Sequence, residues 1–129
     1  MWKVIFILLV LFGAALYFPQ TRPTVLDFLA PVMNPVLTWQ TKGEMDRIVR
    51  ELESLHRQGS DLPTPGESFQ AWMDRRFMGG SKTDAWGMDY TLEVWRDSLG
   101  IVSNGPDEEL GTPDDLIHSA MIRHRGRER

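Results

Sequence analysis

Apolar and polar residues follow several different patterns along this chain. From Val4 to Phe18 it reads VIFILLVLFGAALYF, fifteen residues without a charge. No polar face interrupts the run, so it is a poor core helix for a soluble protein. At 1.5 Å per residue it makes a helix about 22 Å long, short of the roughly 30 Å hydrocarbon core. Trp2 and Lys3 extend it, the lysine able to reach the headgroups, and Trp2 and Tyr17 suit the two interfacial aromatic belts. Residues 1–18 are therefore expected to form a single transmembrane anchor. They also fit a cleaved signal peptide, with Lys3 as its charged start, Val4–Phe12 as its apolar stretch and Gly13-Ala14-Ala15 as its cleavage site. The apolar run through Leu16-Tyr17-Phe18 opposes that reading. By the positive-inside rule, Lys3 and the α-amino group put the N-terminus in the cytoplasm and the body outside, across a cytoplasmic membrane.

Residues 19–39 alternate prolines with apolar residues. Pro19, Pro23, Pro31 and Pro35 predict that no helix runs through unbroken. Val25, Leu26, Phe28, Leu29, Val32, Met33, Val36 and Leu37 make the stretch too apolar for a free linker. Short helical pieces lying on a membrane surface, against a partner protein or against the chain's own domain are expected.

From residue 40 the period becomes helical. Thr41-Lys42-Gly43-Glu44 has the form of a capping box, and Met45, Ile48, Val49, Leu52 and Leu55 then repeat on one face until Gly59 stops the helix. A second helix is announced by Thr64-Pro65-Gly66-Glu67, carries the stripe Phe69, Trp72, Met73 and Phe77, and ends at Gly79-Gly80. The period then shifts to two. Tyr90, Leu92 and Val94 alternate with Thr91, Glu93 and Trp95 in a half-exposed strand, Asp97-Ser98 turns the chain, and Leu99–Ser103 forms a second strand. An acidic loop from Asn104 to Asp115 leads to a last short segment, Leu116–Ala120. The expected fold is α+β: one N-terminal transmembrane helix, two helices and a small antiparallel sheet, with residues 40–120 as the domain and 121–129 as a basic tail.

Charge sharpens this division. The net charge of −4 and mean hydropathy of −0.28 are averages over unlike parts. Between Gln40 and His118 there are 8 basic and 16 acidic residues, a net −8, while Arg123, Arg125, Arg127 and Arg129 form a basic tail. An acidic body argues against nucleic-acid binding. With no cysteine there is no disulfide, zinc-thiolate or thiol nucleophile. His56, His118 and His124 make no metal-ligand motif, and neither a nucleophile elbow nor a phosphate-cradling loop occurs. No enzyme activity and no small-molecule substrate are expected.

The order of motifs resembles one family. Leu55-His56-Arg57-Gln58-Gly59-Ser60-Asp61-Leu62-Pro63-Thr64 is similar to the end of the long helix of a type II secretion major pseudopilin. Thr83-Asp84-Ala85-Trp86-Gly87-Met88-Asp89-Tyr90 resembles that family's turn into its first strand. Ser103-Asn104-Gly105-Pro106-Asp107, followed by Asp114-Asp115-Leu116, resembles its Ser-x-Gly-x-Asp-Gly and Asp-Asp-Ile loop. The resemblance spans about residues 40–118 and implies a pseudopilin-like globular fold. It stops at the N-terminus, where the apolar run carries no glutamate and no prepilin cleavage site, and where prolines interrupt the family's continuous helix. Ala85 and Asp89 stand where the family has prolines, and Glu108 where it has glycine.

The family's loop binds calcium, so the resemblance implies Asp107, Asp114, Asp115 and Ser103 as candidate calcium ligands. The residues alone leave two readings open. Five carboxylates, Asp107, Glu108, Glu109, Asp114 and Asp115, fall within nine residues, as a calcium ion or a solvated acidic turn would each accommodate. Outside the anchor lie four tryptophans, of which a small core can bury two or three. Trp95 is out of phase with the buried positions and is expected on the far sheet face, or beneath the loop or the connector. Trp39, Trp95, Phe28 and Leu29 are the candidate interface residues. The expected function is a membrane-anchored structural subunit of a larger membrane protein complex, or a pseudopilin-like component of a type II secretion or type IV pilus machine.

Overall fold

The computed structural model describes residues 1–77 and 82–122, in two compact units, Met1–Val36 and Leu37–Arg129. The expected stop at Gly79-Gly80 and the arginine-rich tail from Arg123 lie outside the described residues.

The first unit opens with α1, Trp2–Tyr17, a 16-residue helix about 24 Å long. It ends at Phe18, whose extended backbone (φ −81°, ψ 122°) is the conformation that the following Pro19 imposes. The Thr21 hydroxyl donates to the Ala15 carbonyl at 2.6 Å, tying the break to the last turn of α1. Helix α2 then starts at Arg22, with Pro23 in its first turn, where a missing N–H leaves no bond unmade.

The expected broken connector is not broken: α2 runs from Arg22 to Arg57, 36 residues, straight through Pro31 and Pro35. Each proline removes one i→i−4 bond and crowds one carbonyl, those of Asp27 and Pro31. Because the prolines stand four residues apart, both losses fall on one side of the helix, and the other sides keep their ladder. The same continuity corrects the capping box at Thr41, which lies inside the helix, fully buried. No single helix among the described residues is long and apolar enough to cross a membrane. By length and composition α1 and α2 qualify only as a pair, bent by 115°.

In the second unit, α2 ends as its sequence requires. Gly59 has φ +73°, the Ser60 N–H donates to the Leu55 carbonyl and the Gly59 N–H to that of His56, both at 3.1 Å. This pair of bonds is the Schellman stop, which needs a left-handed residue. Helix α3, Glu67–Arg76, begins one turn after Thr64. There the Phe69 N–H donates to the Thr64 carbonyl, and Ser68 Oγ, rather than the expected Glu67, receives the Thr64 N–H.

Three strands follow: β1 (Thr91–Val94), β2 (Ser98–Ser103) and β3 (Leu116–Met121), antiparallel in the order β1-β2-β3. A two-residue turn at Arg96-Asp97 closes the first hairpin, with the Trp95 N–H donating to the Ser98 carbonyl at 2.8 Å. Leu92 pairs with Ile101 and Ile101 with His118, so these positions share the inner face. Val94 shares their phase but sits exposed at the hairpin end. The core joins Met45, Ile48, Val49 and Leu52 of α2, Phe69 and Met73 of α3 with Phe77 just beyond it, and Tyr90, Leu92, Leu99, Ile101 and Ile122. The helices plus antiparallel sheet make an α+β fold.

Candidate functional site

The structure gives the expected loop ligands partners within or beside the loop. The Asp107 carboxylate accepts the Glu109 N–H at 3.1 Å, and that of Asp115 accepts the Gly111 N–H at 2.8 Å and the Thr112 hydroxyl at 3.4 Å. Asp114 serves through its backbone. Gly105, with φ +71°, lies so close that any Cβ there would collide with the Asp114 carbonyl oxygen. Ser103 turns away from the loop aspartates, its hydroxyl donating to Asp84 Oδ2 at 2.6 Å. Among the described residues no three acidic or histidine side chains come together to hold a metal. In this arrangement the loop carboxylates brace the loop.

The most connected polar group is Asp84, 4% exposed. Its Oδ1 accepts the N–H groups of Trp86 (3.1 Å) and Met88 (2.9 Å), while Oδ2 takes the Ser103 hydroxyl. The Ser103 Oγ in turn accepts the Gly105 N–H at 3.2 Å, and the Ala85 N–H reaches the buried Thr41 Oγ1 at 3.2 Å. One carboxylate thus joins the turn at 83–89 to the end of β2 and the start of the acidic loop, and the adjacent Ala85–Thr41 bond ties that turn to α2. Three donors on two oxygens take up most of the acceptor capacity of this buried carboxylate.

Tyr90, fully buried, extends the network. Its hydroxyl donates to Glu44 Oε2 at 2.9 Å, and the Gln70 side chain donates to its carbonyl at 2.9 Å. Burial, and then the Glu44 carboxylate, push its phenol above the ordinary tyrosine range, so it stays neutral. The sequence reading missed this hub, placing Asp84 only within a turn motif and Thr41 as a helix cap. The usable signal was Asp84 three residues before Gly87: an Asx turn closed by the Trp86 N–H on Asp84 Oδ1, over a β-turn closed by the Gly87 N–H on the Asp84 backbone carbonyl.

The candidate interface residues lie far from this network. Phe28 is 83% and Trp39 79% exposed on α2, whereas Leu29 is half-buried. Trp95 takes the outer sheet face, its ring lying over Gly100, and remains partly exposed. None of the tryptophans is fully buried, Trp72 packs half-buried against the core, and the buried indole N–H of Trp86 has no hydrogen-bond partner among the described residues. No protein-family model, curated protein or solved structure matches this chain.

Proposed function

We propose that this chain is a non-catalytic, membrane-anchored accessory subunit of a larger membrane complex, with a pseudopilin-like interaction domain on the extracytoplasmic side. The observation that carries the reading is the first unit. None of its residues is fully buried, and its large apolar side chains, from Trp2 through Phe28 to Val36, are mostly exposed. Thirty-six residues of this composition hold no core of their own, so they gain stability only from lipid or protein around them. Two features support the pseudopilin-like domain. A long helix closed by a glycine stop precedes an antiparallel sheet, and Glu108 occupies a left-handed conformation (φ 59°) where the resembled family carries glycine.

The uninterrupted α2 favours a second reading, a component of a type II secretion or type IV pilus machine, whose subunits continue one long helix into the domain. Purification through a C-terminal tag in mild detergent tests both. The accessory-subunit reading expects co-purifying membrane proteins; a 14.8 kDa chain running alone would defeat it. Recovery in a sheared filament fraction would transfer support to the second reading.

A further inference from the structure

The unexplained surface is the N-terminal half of α2. Stepping 100° per residue, Asp27, Asn34 and Thr38 fall on one narrow line of the helix. The exposed Phe28, Val32 and Val36 fall on another, centred roughly 140° away. Exposed Leu26 and Met33 widen the apolar side to roughly 160° of the circumference, beyond the ~100° stripe of a helix packed on one neighbour. A single partner helix would leave part of that arc in water, whereas lipid covers all of it.

Two further observations select lipid. The pair α1–α2 is bent by 115°, 25° beyond a right angle, so an α1 inserted along the membrane normal carries α2 close to the membrane plane. The carbonyls that Pro31 and Pro35 free, those of Asp27 and Pro31, lie toward the polar line, which an in-plane helix leaves to water. The polar line, on which Asp27 is exposed and Asn34 and Thr38 are half-buried, holds one acid and no base, so the surface suited to it is zwitterionic, with no demand for anionic headgroups.

We propose that residues 23–39 form an in-plane interfacial helix, seated on a zwitterionic bilayer through Phe28, Val32 and Val36, with Asp27, Asn34 and Thr38 turned to water. The inference rests on the membrane-anchor reading. The absence of cysteine makes the test direct. Single variants Val32→Cys, Val36→Cys, Asn34→Cys and Thr38→Cys, with Leu9→Cys in α1, carry a nitroxide label on the full chain in phosphatidylcholine vesicles. Collision with oxygen is compared with collision with a water-soluble nickel chelate. A severalfold higher oxygen-to-nickel ratio at 32 and 36 than at 34 and 38, with a lipid-like Leu9 position, is the expected result. Positions 32 and 36 open to nickel, or closed to both reagents as under a protein partner, overturn the inference while a lipid-like Leu9 position leaves the anchor standing. A nickel-accessible Leu9 position overturns the anchor reading and this inference with it.

Discussion

Asp84 and Tyr90 decide most of the local geometry, and both are testable as single residues. Asp84→Asn keeps the shape but weakens charge-assisted bonds to two amides and to the Ser103 hydroxyl. A loss of about 2–3 kcal/mol is expected in urea unfolding of the full chain in micelles, with about 1–2 kcal/mol for Ser103→Ala. Because the two share one bond, the double variant loses less than the sum. Tyr90 acts at the alkaline end. The unfolded phenol titrates near pH 10 while the folded one is raised above that, so its contribution is intact below about pH 10. Above that pH the unfolded state sheds a proton that the folded state keeps, and stability falls by about 1.4 kcal/mol per pH unit. Tyr90→Phe removes that slope, as unfolding midpoints measured across the alkaline range will show. An unchanged slope would mean that another group titrates.

Elements differ in how openly the sequence announces them. The stripe Met45, Ile48, Val49 and Leu52, the stop at Gly59 and the alternation of β1 were legible because each depends on neighbours within a turn or two. The connector was misread because a proline marks a lost bond without marking which side of the helix loses it. Pro31 and Pro35 lose theirs on the same side. The hub was hidden for another reason. Ser103 and Asp84 are nineteen residues apart, and Ala85 and Thr41 forty-four, separations at which spacing carries no signal. The acidic loop offers a test at this scale. Glu108 closes the 3₁₀ turn Gly105–Asp107 in a left-handed conformation. Relief of that strain, less glycine's own chain entropy, makes Glu108→Gly stabilising by a net ~0.5–1 kcal/mol. A destabilised variant in the same urea assay would show that the Glu108 side chain contributes more than its backbone strain removes.

At the scale of the whole molecule, two units divide the labour. Met1–Val36 buries nothing by itself, and the core belongs wholly to the second unit. The unfolding transition measured for the variants above therefore reports the second unit alone. Of the candidate site, the sequence pattern located exposed Phe28, Trp39 and Trp95 and half-buried Leu29, while the partners of the loop aspartates depend on how the loop closes, which spacing does not show.

The burial of Ile122 has a consequence in time. Its N–H donates to the Asp97 carbonyl, and its side chain, 4% exposed, completes the core that begins at Met45. Leu52 is made seventy residues before Ile122, a wait of roughly 4–14 s at synthesis rates of about 5–20 residues per second. Throughout that interval the inner stripe of α2 is bare, while α1 is already complete. The order of synthesis thus makes the chain's own sheet the last surface that this stripe meets.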